Sequence, residues 1–255
     1  MSDLLTYAKQ TARLIVESRY PDCDASLLAG SFVRGQATAT SDLDLIIFRE
    51  SVPASYRESF TFDEYPVEAF VHSSTTIRDF FRQDRERGRP SMQRMVAEGF
   101  VLLDHDLLRP LKAQAESELL AGPPVLSPVE TDRARYFLTD LLDDFIGVTE
   151  RSEGLGIAAR LLEQATDFRL RTSGHWTGQG KWLIRSLAIV DSVEAKRLAD
   201  AFEAFFRFDE KQPVIDLVEQ WLIEHGGRYF DGFSLGKRKE GEHHETRDGG
   251  LSSGS

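Results

Sequence analysis

Residues 29–48 read AGSFVRGQATATSDLDLIIF, and this stretch decides the fold. The short, mostly apolar run 25–29 leads up to Gly30 and predicts a buried strand, and the apolar run 43–48 predicts a second one. A glycine at a strand-to-helix turn lets backbone amides approach a phosphate, and the hydroxyl of Ser31 adds a donor. The first strand is therefore expected to end in a turn suited to phosphate binding.

Three carboxylates are expected to meet beside this turn. Asp42 and Asp44 lie two residues apart at the start of the second strand, so their side chains point to the same face. Such a pair repels itself unless a cation sits between the groups, and oxygen ligands of this kind suit Mg²⁺ or Mn²⁺. Glu68, inside the otherwise apolar strand 67–71, is the third carboxylate. It would complete a cage of the sort that holds two divalent ions for phosphoryl chemistry.

The order and spacing of these residues resemble the DNA polymerase β-like nucleotidyltransferase superfamily. The signature of that superfamily is a Gly-Ser turn, a gap of about the ten residues that separate Ser31 from Asp42, an Asp-x-Asp pair and a later acidic strand residue. Within it, the layout is most similar to the aminoglycoside (kanamycin-type) nucleotidyltransferases. These carry the late carboxylate in a Val-Glu-x-x-x-x-Ser strand, as residues 67–73 do here. The resemblance covers about residues 1–122.

The resemblance implies a role for each part of the motif. Asp42 and Asp44 would bind both metal ions, and Glu68 would complete the site that activates the acceptor hydroxyl. Gly30 and Ser31 would hold the β and γ phosphates. Two further residues of the stretch are assigned to the nucleotide: Arg34 and Ser41. The implied cofactor is Mg²⁺ or Mn²⁺, and ATP or another nucleoside triphosphate is the implied co-substrate. Each part alone is a common loop feature, so the assignment depends on the ordered set.

The element pattern predicts an α+β fold. Residues 1–122 combine a helix over about residues 2–19 with the strands and further helices, which predicts a small mixed-sheet catalytic domain. Glycine and proline cluster at residues 122–128 and predict a linker. Residues 123–236 carry five helical patterns and no convincing strand, which predicts an all-α helical bundle. Residues 237–255 consist of glycine, serine and charge with almost nothing apolar, and a disordered tail is expected there.

The helical half contributes further candidates. Asp140 and Asp144 lie one turn apart, and the resemblance implies that a carboxylate of this half can act as general base at the acceptor hydroxyl. A solvated acidic helix face is the competing interpretation. Lys181 opens a helix after a Gly-rich turn, an arrangement suited to a triphosphate or a leaving pyrophosphate, although a plain surface lysine is also compatible. Arg185, one turn later, is another nucleotide candidate.

Two other sets of residues stay outside this assignment. One is a basic cluster, interpreted as a solvated helix face, with contact to an anionic substrate as the alternative: Arg82, Arg85, Arg87, Arg89 and Arg94. The other is the set of tryptophans, interpreted as core residues rather than as a stacking platform: Trp176, Trp182 and Trp221.

Composition limits the possible classes of protein. With 41% hydrophobic residues among 255, the chain can build ordinary cores, and no run approaches the ~20 apolar residues that a bilayer requires. The single Cys23 permits no internal disulfide and anchors no structural zinc site. A net charge of −11 works against indiscriminate nucleic-acid binding. Residues 1–10 lack the features of a secretory signal, so a cytoplasmic protein without membrane association is expected.

The leading hypothesis is an enzyme that transfers AMP from ATP to a hydroxyl of a small molecule, such as an aminoglycoside-like antibiotic. Transfer to a protein or nucleic-acid terminus is the alternative within enzymes. A non-catalytic antitoxin or scaffold is the alternative outside them, and it fits less well, because a scaffold has no need to keep three mutually repelling carboxylates together. A homodimer is compatible with the sequence, although no motif indicates one.

Overall fold

The computed structural model describes residues 2–236, and within them the expected α+β class is confirmed. A five-stranded mixed sheet with flanking helices is followed by a wholly helical half. The predicted disordered tail, residues 237–255, lies outside the described residues. No helix within the described range is long and apolar enough to span a membrane.

Five strands form the sheet: β1 (Ala25–Ala29), β2 (Leu43–Phe48), β3 (Tyr56–Phe62), β4 (Tyr65–His72) and β5 (Phe100–Leu103). Their order across the sheet is β3-β4-β2-β1-β5. The central pair β2 and β4 runs parallel, and the other neighbouring pairs are antiparallel. The strands predicted at residues 25–29 and 43–48 are confirmed, and the strand predicted at 67–71 is longer, since it covers 65–72.

Ten helices lie in the described range: α1 (Ser2–Arg19), α2 (Gly30–Val33), α3 (Ser74–Arg87), α4 (Ser91–Glu98), α5 (Leu108–Ala121), α6 (Pro128–Gly147), α7 (Arg151–Thr172), α8 (Lys181–Val190), α9 (Ser192–Phe208) and α10 (Gln212–Ile223). The short α2 starts at Gly30, directly after β1, as the turn motif predicts. The helix predicted to begin at Lys181 also starts at that residue.

The sequence patterns do not predict β3. It is an edge strand, and its residues YRESFTF are exposed or half-buried in alternation. β3 turns into β4 through Asp63 and Glu64, which have positive φ values of 44° and 70°. Neither is a glycine or an asparagine, so the hairpin lacks the usual sequence mark of a two-residue turn. The alternation of Phe60 and Phe62 with polar residues is the signal that identifies the strand.

Helices cover both faces of the sheet. One face, which includes Leu45 and Ile47 of β2, packs in a cluster with the apolar side of α1. The other face, which includes Ile46 and Phe48, packs against α3, α4 and α5. Because side chains alternate along a strand, Asp44 points to the same face as Ile46 and Phe48. The sheet therefore presents Asp44 on the side where α4 lies.

The helical half has its own hydrophobic core, built from α6 to α10 around fully buried side chains such as Trp221 and Phe205. In this core Trp221 Nε1 donates to a carboxylate oxygen of Glu194 at 2.7 Å. In the sequence, the residues of the hydrophobic clusters of the two halves lie on either side of the proline-rich segment 122–128. The division into residues 1–122 and 123–236 stays a prediction.

The connection between α7 and α8 fastens the helical half to the first half. Thr177 N donates to Gly88 O at 2.8 Å, and Trp176 Nε1 donates to Leu119 O at 2.9 Å. The buried Arg171 packs so closely on Gly88 that a Cβ added to this glycine would lie 1.7 Å from a guanidinium nitrogen. These contacts bring the start of α8 beside the first half, and a cleft forms between them.

Candidate active site

The register of the sheet brings the three predicted carboxylates together. Asp44 of β2 lies opposite Glu68 of the parallel strand β4, and Asp42 precedes Leu43, the first residue of β2. One oxygen from each carboxylate lies within 4.8 Å of one from each of the others. All three residues are half-buried. The convergence expected from the residue spacing is therefore present in the structure.

Asp44 is the carboxylate most affected by its surroundings. Its pKa is raised to about 6, first by burial and then by the neighbouring charges of Asp42 and Glu68. The positive charges of Arg34 and Lys181 act in the opposite direction and lower the pKa. A self-repelling acid cluster of this kind favours a bound cation over the empty state.

Gly30 lies against the carboxylate of Asp44. Its φ is 73°, a left-handed conformation, and a Cβ at this position would lie 1.7 Å from Asp44 Oδ2. The preceding residue, Ala29, pairs directly with Asp44 in the β1–β2 ladder. Both backbone conformation and available space therefore require glycine here. The glycine of the motif allows the chain to turn within contact distance of the carboxylate cluster.

Glu68 has a basic partner on the edge of the sheet. A guanidinium nitrogen of Arg57, on β3, hydrogen bonds to Glu68 Oε1. The same guanidinium lies 5.1 Å from the ring centroid of Phe70, two residues further along β4. Glu68 thus faces Asp44 on one side and a positive charge on the other.

A cleft of about 320 Å³ separates the carboxylates from the helical half. Four residues of the Gly-Ser and Asp-x-Asp segments line its sheet side: Gly30, Arg34, Asp42 and Asp44. The opposite wall comes from the α3–α4 segment and from residues 177–182, and includes Lys181 and Trp182. Both halves of the protein therefore contribute to the cleft that Asp42 and Asp44 line.

The predicted nucleotide-binding residues take different positions. Arg34 and Lys181 line the cleft, and both act electrostatically on Asp44. Arg185 lies one turn into α8, with its guanidinium 5.7 Å from the ring centroid of Trp182. Ser31 is buried next to Gly30, and Ser41 accepts a hydrogen bond from Thr38 N at 2.8 Å. Neither serine is among the residues that line the cleft, so their contact with a nucleotide stays a prediction.

Asp140 and Asp144 lie outside the cleft, exposed on α6. Asp140 lines a separate hollow of about 530 Å³ on the helical half. A smaller hollow lies next to both regions, because it shares the lining residue Asp167 with that hollow and Gln179 with the cleft. The structure thus leaves Asp140 and Asp144 apart from the carboxylate cluster, and their action as general base stays a prediction.

Several lining residues were not selected by the sequence patterns. Arg89 and Arg94, interpreted as part of a solvated basic face, line the cleft, as does Trp182, which was assigned to the core. Thr177 also lines the cleft, and no sequence motif includes it. The concentration of arginine just before and within α4 is the sequence signal that points to this wall. Trp176 and Trp221, by contrast, are buried as expected.

Comparisons with protein-family models and with curated proteins find no match. Among solved structures, the chain is similar to the crystal structure of a nucleotidyltransferase-like protein from Exiguobacterium sibiricum 255-15. The sequence identity is 12% and the TM-score is 0.46, over 85% of this chain and 74% of that one. At this distance the chemistry of the cleft has to be inferred from its own residues.

Proposed function

We propose that the protein is a metal-dependent nucleotidyltransferase. The observation that carries the proposal is the arrangement of charge across one cleft. Asp42, Asp44 and Glu68 converge on the sheet side, and the positive charges of Arg34 and Lys181 act on Asp44. Carboxylates for divalent cations beside basic groups for phosphates are what a nucleoside triphosphate and its metal ions require.

The three carboxylates would hold the divalent cation, Mg²⁺ or Mn²⁺. Such ions prefer carboxylate oxygens, and the oxygens of Asp42, Asp44 and Glu68 are close enough together to share them. Such ions would neutralise phosphate charge and, as Lewis acids, polarise phosphoryl oxygens. The raised pKa of Asp44 supports the assignment, because the cluster is destabilised until a cation neutralises it.

In the proposed reaction, the oxygen of an acceptor hydroxyl bonds to the α-phosphorus of the triphosphate. The bond from that phosphorus to the α,β-bridging oxygen breaks, and pyrophosphate leaves. We assign Glu68 to the acceptor side, where the hydroxyl proton passes to a carboxylate as the new bond forms. Arg34 and Lys181 would bind the phosphates and stabilise the charge that develops on the leaving group.

For the finer features, we propose ATP as the nucleotide donor, so that AMP is transferred, and a small molecule as the acceptor. The kanamycin-type motif order makes amino sugars the first acceptors to test. Asp140, which lines a hollow of the helical half, and Asp144, one turn further along α6, remain candidates for a base that an extended acceptor would meet. Use of ATP fits a cytoplasmic enzyme.

A pyrophosphate-release screen tests the proposal. The full chain is incubated with Mg²⁺ and each nucleoside triphosphate, against a panel of amino sugars, other small alcohols and candidate proteins. We expect release with at least one pair of donor and acceptor, and no release from Asp42→Asn under the same conditions. Release that never exceeds that of Asp42→Asn would contradict the proposal and favour a non-catalytic role.

A further inference from the structure

Three side chains that line the cleft have a buried polar atom without a hydrogen-bond partner among the residues described. These atoms are Arg34 Nε, Arg89 Nε and Thr177 Oγ1. Thr177 is only 2% exposed, so bulk water does not reach its side chain freely. A buried donor without a partner is costly, and most such groups in folded proteins are satisfied. Three side chains around one cleft therefore have hydrogen-bonding capacity that the described residues do not use.

Three of the four basic residues that line the cleft form no ion pair within the described residues. Within residues 2–236, Arg34 forms an ion pair with Glu98 at 3.2 Å, whereas Arg89, Arg94 and Lys181 form none. Arg94 is half-buried; burial lowers its pKa, the negative charge of Glu98 raises it, and the nearby charge of Arg34 lowers it. Glu98 is the carboxylate that acts on both Arg34 and Arg94, so positive groups outnumber negative ones on this side of the cleft, and such a surplus favours an anion.

Trp182 holds two of these arginines in position. The guanidinium carbon of Arg94 lies 4.5 Å from the ring centroid of Trp182, and that of Arg34 lies 5.3 Å away. A guanidinium stacked on an aromatic ring keeps its in-plane N–H groups free to bind two oxygens of a phosphate. Trp182 belongs to α8, whereas Arg34 and Arg94 belong to the first half. The contact therefore joins the two halves across the cleft.

We propose that Arg89, Arg94 and Thr177 form, with Arg34, a diphosphate subsite. It would hold the β and γ phosphates of the co-substrate and then the pyrophosphate that leaves. Trp182 is a positioning residue that orients the arginines from the other half. The inference rests on the proposed function and extends it, because it names the residues that hold the leaving group. A diphosphate suits the several donors and the cleft of about 320 Å³ better than a single phosphate does.

Calorimetric titration of inorganic pyrophosphate into the full chain, in buffer freed of divalent metals, tests the subsite. We expect saturable binding that Arg94→Gln and Arg89→Gln each weaken about tenfold or more. Arg94→Lys should bind with intermediate affinity, since it keeps the charge and loses the planar fork. Arg82→Gln is the matched control, because Arg82 is exposed on α3 and pairs with Asp79, and it should bind like the unmodified chain.

A second pair of variants tests the role of Trp182. Trp182→Phe should retain pyrophosphate affinity, because a ring is still present, whereas Trp182→Leu should lose affinity about as far as Arg94→Gln does. The unfolding temperature of Arg94→Gln without ligand should stay close to that of the unmodified chain, since Arg34 repels Arg94 and Glu98 attracts it. Equal pyrophosphate affinity in Arg94→Gln and Arg82→Gln would overturn the subsite. Orthophosphate that binds as tightly as pyrophosphate would overturn its assignment to a diphosphate.

A parallel titration with Mn²⁺ separates this inference from the proposed function. Arg94→Gln should bind Mn²⁺ as the unmodified chain does, because Arg94 is not among the carboxylate ligands. If Mn²⁺ binds and pyrophosphate affinity does not depend on Arg94, only the subsite fails. If pyrophosphate binds as expected and Mn²⁺ does not bind, the subsite stands and the metal-dependent function fails.

Discussion

Gly30 approaches Asp44 so closely that a single added carbon would occupy the place of the carboxylate. A Cβ on Gly30 would lie 1.7 Å from Asp44 Oδ2, and the backbone at Gly30 has a φ of 73°. The Gly-Ser turn and the strand that carries Asp44 are therefore packed against each other. The position of one fixes the other, so a change in the turn should act on the metal site.

The first prediction is that Gly30→Ala weakens Mn²⁺ binding by about tenfold or more, because the new Cβ displaces the Asp44 carboxylate. Electron paramagnetic resonance of Mn²⁺ measures the affinity. Gly35→Ala is the matched control: Gly35 has a similar φ of 65°, but a Cβ there meets nothing within 4 Å. Both variants should lose about 1 kcal/mol of stability to backbone strain. Equal Mn²⁺ affinity in the two variants would contradict the steric argument.

The second prediction concerns the stability of the metal-free protein. The pKa of Asp44 is raised in the folded state to about 6, so the folded protein holds this proton more tightly than the unfolded chain does. The contribution of Asp44 to stability is therefore present at low pH and is lost as the pH rises through about 6. Asp44→Asn removes this loss and should raise the unfolding free energy at pH 7, on the order of 2 kcal/mol.

Denaturant unfolding of the two proteins across the pH range checks this second prediction. The gain from Asp44→Asn should be near zero below pH ~4 and largest above pH ~6. The variant has to be compared with the unmodified chain at each pH, because His72 makes stability depend on pH in the opposite direction. Burial lowers the pKa of His72 to about 4, so its contribution is lost as the pH falls. If Asp44→Asn raises the free energy of unfolding equally at every pH, the pKa of Asp44 is not raised in the folded state.

The third prediction separates binding from chemistry at Glu68. Glu68→Gln should reduce turnover by ~10² or more, with a much smaller loss of nucleotide affinity, because the residue serves the acceptor side. Glu58→Gln, on the neighbouring strand β3, is the control, since Glu58 pairs with Arg19 and Tyr20 instead of joining the carboxylate cluster. Calorimetry that finds nucleotide binding lost in proportion to turnover would give Glu68 a different role.

The fourth prediction concerns Lys181. Lys181→Ala should weaken ATP binding by ~1 to 3 kcal/mol, the range of a charge-assisted hydrogen bond, and should barely change the unfolding temperature without nucleotide. Lys196→Ala provides the control, because Lys196 is exposed on α9 and pairs with Asp200. Unaltered ATP affinity in Lys181→Ala would contradict the assignment of this residue to the nucleotide.

The carboxylate cluster could be predicted because it depends mainly on the spacing of residues within single strands. Alternation along a strand places Asp42 and Asp44 on one face, and a charge inside an apolar strand marks Glu68. The turn at Gly30 follows from the same reasoning. Only the pairing of β2 with β4, which brings Glu68 opposite Asp44, needed the structure or the resemblance.

The opposite wall of the cleft could not be predicted in this way. Arg94 and Trp182 are far apart in sequence and meet only because the α7–α8 connection docks on Gly88. A half-buried arginine and a solvated one look alike in a helical pattern, so periodicity cannot identify an arginine that faces a cleft. Strand β3 was not predicted because it is an edge strand. None of its side chains is fully buried, so its sequence shows only a weak apolar pattern.

Binding of Mn²⁺ together with α,β-methylene-ATP, followed by electron paramagnetic resonance, tests the central claim most directly, because it requires no knowledge of the acceptor. The unmodified chain should bind Mn²⁺ more tightly with the nucleotide analogue than without it. Asp42→Asn and Asp44→Asn should each weaken this binding by about tenfold or more. Mn²⁺ affinity that is the same in the unmodified chain and in both variants would contradict the assignment of the carboxylate cluster as a metal and nucleotide site.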